Sequence, residues 1–137
     1  MYKKNRLSVI AAGILALAFI AVIIRNSGLY PIVFIDELTY SKFARLVPLS
    51  DSILPNYLYF AIYRVTNTCG DGYLACARIL NAVIFFLAFP FVYSTAKRFA
   101  PQWAACVVAL IAILGSANSY TAYFMPEAMF FTAFWVL

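Results

Sequence analysis

Residues 7–24 read LSVIAAGILALAFIAVII, an unbroken apolar run that follows a basic start and ends at Arg25. A helix of this length rises 1.5 Å per residue and spans roughly 27 Å, close to the thickness of the hydrocarbon core of a bilayer. A cleaved signal peptide is the alternative, because a basic start and an apolar centre also fit one. The run continues past Ala16 and Ala18, where a cleavage site would fall, so the sequence favours an uncleaved transmembrane anchor.

The composition indicates a membrane protein. Of the 137 residues, 66% are hydrophobic and 11% are charged, whereas roughly 25% of a soluble domain is charged. The formal net charge is +5, but the basic residues are scattered among apolar runs and form no basic stripe. This distribution argues against a nucleic-acid partner and favours membrane lipids.

Two further runs, 79–96 and 103–120, are long enough to cross a bilayer, and a fourth begins at residue 128. The 79–96 run contains Pro90, whose kink a membrane helix tolerates. The predicted fold class is therefore an all-α integral membrane protein with three complete transmembrane helices and the start of a fourth. Because residues 128–137 are too few to cross a bilayer, we expect a single module, 1–137, that forms the N-terminal portion of something longer.

Residues 26–77 are less hydrophobic and form a long predicted loop with interfacial helices. Asp36 to Val47 has the pattern of an amphipathic helix ended by Pro48, and 53–63 is too short to span comfortably. Cys69 and Cys76 both fall in this loop, and the sequence leaves open whether they form a disulfide.

The distribution of basic residues predicts the orientation. A cytoplasmic N-terminus, with Lys97 and Arg98 on the same side, places the 26–77 loop and Glu127 outside. The plasma membrane, in bacteria the inner membrane, is the expected location. The remaining inside cations are Lys3, Lys4 and Arg6. This orientation places three acids on one side of the membrane, namely Asp36, Glu37 and Glu127. Some ninety positions of sequence separate Glu127 from the other two.

The order of several short motifs resembles the N-terminal part of the GT-C membrane glycosyltransferases. The closest branch comprises the protein O-mannosyltransferases and the lipid A aminoarabinose transferases, which are similar to glycosyltransferase family 39. The matching features, in order, are Arg25, Pro31, Asp36-Glu37, Tyr40, Ala44, the Pro55–Tyr59 segment, the Gly70–Arg78 segment, Ala96-Lys97-Arg98 and the Tyr123–Ala128 segment. The similarity covers about 110 residues, and no single motif in it is specific.

The resemblance implies an enzyme that transfers a sugar from a polyprenyl-phosphate donor to an acceptor outside the cytoplasm. By position, Asp36 would be the general base or acceptor-positioning carboxylate, with Glu37 beside it and Glu127 as the acid of the second loop. Two departures are the glutamate at 127, where an aspartate is expected, and Asn56 in place of a proline. The family's remaining helices and soluble domain are not in this chain and would come from the rest of a longer protein or from a partner subunit.

The chemistry of glycosyl transfer matches these residue types. A carboxylate accepts the proton of the acceptor hydroxyl, and positive charge offsets the departing phosphate. The predicted substrate-binding residues are Arg25, Tyr40, Lys42 and Arg45. Two or three carboxylates are only a weak signal for a divalent metal, so no metal ligand is assigned and a metal stays open.

Each of these residues also has a structural interpretation. Asp36, Glu37 and Glu127 fit the first turns of helices, where carboxylates are favourable. Lys42 and Arg45 fit cations at a membrane surface, and Arg78 and Arg98 fit anchors at membrane helix ends.

Two other functional classes compete with a transferase. A small transporter would carry an acid inside a membrane helix, but the 7–24, 79–96 and 103–117 runs contain none. The other class is a non-catalytic membrane partner or fragment, which the sequence leaves open.

Overall fold

Apolar α-helices make up most of the computed structural model, which describes residues 2–28 and 34–137, with side chains from residue 9 onwards. The α-helices are α1 (Tyr2–Gly28), α2 (Ile35–Arg45), α3 (Tyr57–Tyr63), α4 (Tyr73–Phe86), α5 (Ala88–Ala96), α6 (Gln102–Leu114) and α7 (Glu127–Val136). Short 3₁₀ segments lie at Leu49–Asp51, Arg64–Gly72 and Ser116–Ala122. Within the described ranges no strand is present, in agreement with the predicted all-α class. Pro31 and the side chains of Lys3, Lys4 and Arg6 lie outside the described residues.

Two helical stretches of the described chain are long and apolar enough to cross a membrane, Val9–Gly28 and Tyr57–Ala96. A third qualifies if Gln102–Leu114 and Ser116–Ala122, which meet at 44°, count as one bent span. The number of spans and the predicted fourth span starting at 128 stay predictions, since α7 comprises ten residues.

The predicted 79–96 helix is longer than expected and is interrupted. α4 begins at Tyr73, and a break at Leu87 separates it from α5. Pro90 explains the break, because a proline lacks the N–H that would bond four residues back and its ring clashes with that carbonyl.

The predicted 103–120 helix ends early at Gly115, after which the backbone continues as the 3₁₀ segment. A side chain at Gly115 would approach the carbonyl oxygen of Ile111 to 3.1 Å. This close approach fits a glycine at the bend.

The predicted amphipathic helix in the first loop is confirmed as α2. Phe43 and Ala44 are buried, and Tyr40 and Val47 pack against the same core cluster. The helix ends at Arg45, three residues before Pro48, and the Arg64 guanidinium donates hydrogen bonds to carbonyl oxygens near that end. This core cluster fixes α2 against α3.

The second predicted loop helix, α3, is confirmed as a helix, and its interfacial position stays a prediction. Tyr57 is exposed, but Tyr59 and Tyr63 are completely buried and their rings stack at 4.1 Å between centroids. α3 packs against α2, and these two tyrosines contact Phe124. The loop therefore folds over the segment that precedes α7 and brings the acids of distant sequence regions together.

Candidate functional site

Glu37 joins α2 to the segment that precedes α7. Its Oε2 accepts a hydrogen bond from the backbone N–H of Phe34 at 2.9 Å, which satisfies a free donor at the start of α2. Its Oε1 accepts a hydrogen bond from the backbone N–H of Phe124 at 2.5 Å, and the side chain is completely buried. Because both carboxylate oxygens have backbone partners, the geometry gives Glu37 a structural role, and its catalytic role stays a prediction.

Asp36 and Glu127 have different surroundings. Asp36 is exposed in the first turn of α2, and Glu127 is the partly buried first residue of α7. One carboxylate oxygen of Glu127, Oε2, is buried without a hydrogen-bond partner among the described residues. The structure thus leaves Glu127 with a carboxylate oxygen that can accept a proton.

The pKa of Glu127 lies above its ordinary value. Burial is the main cause, because it disfavours the charged carboxylate. A hydrogen bond from the residue's own backbone lowers the pKa in part, and the negative charge of Asp36 raises it further. The charge of Asp36 is therefore one influence on the Glu127 carboxyl, and the predicted orientation in the membrane stays a prediction.

Tyr59 is a further buried polar residue of this region. Its hydroxyl is buried without a hydrogen-bond partner among the described residues, and the charges of Glu127 and Glu37 act on it. The predicted substrate-binding residue Tyr40 packs edge-on against the Tyr59 ring at 5.8 Å between centroids. We call Asp36, Tyr59 and Glu127 the carboxylate site.

Arg25 lies at the end of α1 and already has several partners. Its guanidinium donates hydrogen bonds to the Asn118 side chain at 2.6 Å, to the Asn118 carbonyl at 2.9 Å and to Thr121 Oγ1 at 3.1 Å. It also donates to its neighbour Asn26. The contacts tie α1 to the Ser116–Ala122 segment, and the role of Arg25 in substrate binding stays a prediction.

Lys42 and Arg45 do not share one environment. Lys42 is exposed, whereas the Arg45 guanidinium lies 3.5 Å from the centroid of the Tyr73 ring. Arg45 also donates a hydrogen bond to Asn67 Oδ1, and Asn67 donates to the Arg45 carbonyl. Arg45 therefore helps to hold the Arg64–Gly72 segment, and its predicted contact with substrate is untested.

Arg78 is a buried bridge, and its interpretation as a membrane-end anchor is wrong. Only 7% of the residue is exposed, and its guanidinium donates to the carbonyl oxygens of Ala122 at 2.9 Å and Asn26 at 3.0 Å. The side chain of Asn26 donates to Thr121 Oγ1 at 3.0 Å. We call Arg25, Asn26, Arg78 and Thr121 the tether cluster, because they join α1, α4 and the Ser116–Ala122 segment.

Asn81, one turn after Arg78 on α4, forms a second buried bridge. Its Nδ2 donates to the Tyr123 carbonyl at 2.5 Å, and its Oδ1 accepts a hydrogen bond from the Tyr63 hydroxyl. The sequence signal for both bridges was the spacing of Arg78 and Asn81, two polar residues three positions apart in an apolar helix. That spacing places them on one helix face but does not identify their partners.

Cys69 and Cys76 form a disulfide across the Gly70 turn, which resolves the alternative that the sequence left open. Gly70 has a φ of +53°, a conformation that favours glycine. Cys106 is free and buried, and a buried free cysteine commonly serves as a small packing residue. No group of three potential ligands that could hold a metal ion lies among the described residues.

Comparisons of the chain with protein-family models, with curated proteins and with solved structures found no match. The similarity to GT-C glycosyltransferases therefore rests on the residues quoted above and stays a prediction.

Proposed function

We propose that the chain forms part of a membrane glycosyltransferase that moves a sugar from a polyprenyl-phosphate donor to a hydroxyl acceptor outside the cytoplasm. The observation that carries the proposal is the buried Oε2 of Glu127, which has no hydrogen-bond partner among the described residues, in an acid on which the charge of Asp36 also acts. Burial raises the pKa of Glu127 and leaves one of its oxygens without a partner among the described residues. A raised pKa and a carboxylate oxygen without a partner both fit a general base.

In the proposed reaction, Glu127 accepts the proton of the acceptor hydroxyl while the acceptor oxygen bonds to the anomeric carbon of the sugar. The bond between that carbon and the phosphate oxygen breaks, and its electron pair leaves with the phosphate. Asp36 orients the acceptor beside Glu127, and the exposed Lys42 is available to the phosphate, with Arg25 and Arg45 as the further cations of the proposal. The atoms and charges balance with these groups alone, and a divalent cation stays open.

The same proposal places the first loop outside the cytoplasm. The Cys69–Cys76 disulfide supports this side, because structural disulfides persist in oxidising compartments. Exposed apolar side chains along α1 and α6, such as Leu17, Ile20 and Ile111, support contact with lipid.

Labelling of single cysteines tests the orientation. Ser50 is exposed, so Ser50→Cys should react with an impermeant thiol reagent added outside intact cells. The matched control, Arg98→Cys, should react only after lysis, and the reverse pattern would refute the orientation.

Donor turnover tests the chemistry. Membranes containing the protein are supplied in turn with polyprenyl-phosphate mannose and polyprenyl-phosphate aminoarabinose. The release of sugar from the donor lipid is measured, because it reports transfer to any acceptor, including water. Glu127→Gln should lower turnover by about 10²–10⁴-fold, as expected for loss of a general base. Asp36→Asn should also lower it strongly.

The control is Asp71→Asn, which neutralises an exposed acid of the Arg64–Gly72 segment. It should turn over both donors at the wild-type rate. Equal turnover by wild type and Glu127→Gln, at equal abundance in the membrane, would refute the proposed role of Glu127.

A further inference from the structure

Two buried polar atoms of complementary type lack hydrogen-bond partners among the described residues, the Tyr59 hydroxyl and Glu127 Oε2. A phenol can donate a hydrogen bond, and a carboxylate oxygen can accept one. Tyr63 provides the contrast on the same helix, because its hydroxyl donates to Asn81 Oδ1. A buried polar group without a partner is destabilising, so such atoms in a folded protein call for a ligand or a water molecule.

The two residues belong to one neighbourhood of the fold, because both are connected to it through Phe124 and the first turns of α7. The Tyr59 ring meets the Phe124 ring edge-on at 6.2 Å between centroids, and Phe124 lies three residues before Glu127. Met129, on the first turns of α7, packs against the core cluster that contains Tyr59. The charge of Glu127 acts on the Tyr59 hydroxyl, although the two groups form no direct hydrogen bond.

We propose that Tyr59 and Glu127 together bind one hydroxyl group, which accepts a hydrogen bond from the Tyr59 phenol and donates one to Glu127 Oε2. This arrangement satisfies both buried atoms with a single group. A carbonyl cannot do so because it has no hydrogen to donate, and an ammonium cannot because it has no lone pair to accept a hydrogen bond. The identity of that group as the sugar acceptor rests on the proposed function. A water molecule can occupy the same position when no acceptor is bound.

The proposed geometry gives Tyr59 a specific task. A hydroxyl held by the phenol has its own O–H directed at Glu127 Oε2, so its proton leaves toward the base. Tyr59 is then an acceptor-binding residue, and the site selects a hydroxyl over a group that cannot both accept and donate.

Infrared titration of the Glu127 carboxyl tests the shared hydroxyl without relying on activity. The carboxyl band is assigned by its loss in Glu127→Gln. The pH midpoint of its titration is then compared in wild type, in Tyr59→Phe and in the control Tyr57→Phe. Tyr57 is exposed on the same helix, so its hydroxyl should not matter. Tyr59→Phe should raise the midpoint, because the bridging hydroxyl then holds the ionised carboxylate less firmly.

The charged group facing Glu127 from α2 is Asp36, which all three proteins retain, so its effect cancels in the comparison. An unchanged midpoint in Tyr59→Phe, or an equal rise in Tyr57→Phe, would overturn the proposal. If Tyr59→Phe does not fold, the tyrosine C–O band is measured in wild type and Glu127→Gln, where a shift supports the bridge and no shift refutes it.

Donor turnover separates this inference from the proposed function. With the acceptor below saturation, Tyr59→Phe should lower turnover about tenfold, the effect of losing one hydrogen bond to the acceptor. If wild type turns over neither donor, the proposed function fails, and the midpoint shift still decides whether Tyr59 and Glu127 bind a hydroxyl. If wild type and Tyr59→Phe turn over donor equally and share one midpoint, only the inference fails.

Discussion

The tether cluster and the carboxylate site lie on neighbouring parts of the chain but differ in how their polar groups are satisfied. In the tether cluster, Arg25, Asn26, Arg78 and Thr121 bond to one another or to backbone carbonyls. In the carboxylate site, Tyr59 and Glu127 each bury an atom without a partner in the described structure. Because an unsatisfied buried group destabilises the fold, the first region is expected to contribute more to stability, and the second keeps the groups on which the proposed binding depends.

Glu37 and Glu127 show the same contrast in two residues of one type. Glu37 is completely buried and both of its oxygens accept backbone hydrogen bonds. Glu127 is less buried, yet one oxygen lacks a partner among the described residues and burial raises its pKa. The number of partners, more than the depth of burial, therefore distinguishes the structural acid from the candidate functional acid.

The largest effect on stability is expected from Arg78→Ala in the tether cluster. The substitution leaves the carbonyl oxygens of Asn26 and Ala122 without their donor, and we expect a loss of about 3 kcal/mol in the free energy of unfolding. Unfolding by denaturant in detergent micelles measures it. The exposed Arg98, changed to Ala, should alter the value by no more than about 0.5 kcal/mol, and equal effects of the two variants would contradict the bridging role.

A smaller loss is expected from Glu37→Gln. The amide keeps one acceptor oxygen but presents an N–H group to a backbone N–H, so the loss should be about 2 kcal/mol. The same unfolding measurement checks this, with the exposed Asp51→Asn as the control. A Glu37→Gln protein as stable as wild type would remove the distinction between the two glutamates.

The smallest effect, of opposite sign, is expected from Glu127→Gln. Because folding raises the pKa of Glu127, its contribution to stability is fully present below the ordinary glutamate pKa and is lost as the pH rises through the raised value. The variant should therefore match wild type in acid and be more stable by less than about 1 kcal/mol at neutral pH, since the group is partly exposed to solvent. The free energy of unfolding of both proteins is measured across this pH range. A variant whose stability relative to wild type fell as the pH rose would contradict the interpretation.

Periodicity and composition predicted the parts of the fold that depend on local pattern. The apolar run at 7–24 lies within α1, and the Asp36–Val47 pattern predicted α2 and its buried face. The same pattern missed the break at Leu87 and the bend at Gly115. Both depend on single residues within otherwise helical sequences, where a proline or a glycine is also compatible with a continuous membrane helix.

The candidate site stays a prediction, and the structure adds contacts that the sequence did not reveal. Order along the chain brought Asp36, Glu37 and Glu127 into one hypothesis, and in the structure the charge of Asp36 acts on Glu127. The sequence did not reveal that Glu37 bonds to the backbone of Phe124, 87 positions away, nor that Tyr59 is buried. Such contacts depend on how α2 and α3 fold over the segment before α7.

The sequence by itself determined an apolar helical chain, because hydropathy and helical periodicity are local properties that residues carry into any fold. The sequence also contains only five acidic residues, and this number limits the candidates for a catalytic carboxylate. Only the tertiary structure decided which carboxylate oxygens have hydrogen-bond partners. The fold supplies backbone N–H donors to both oxygens of Glu37, and in the described part of the chain it leaves Oε2 of Glu127 without a donor, because these contacts depend on how distant segments pack together.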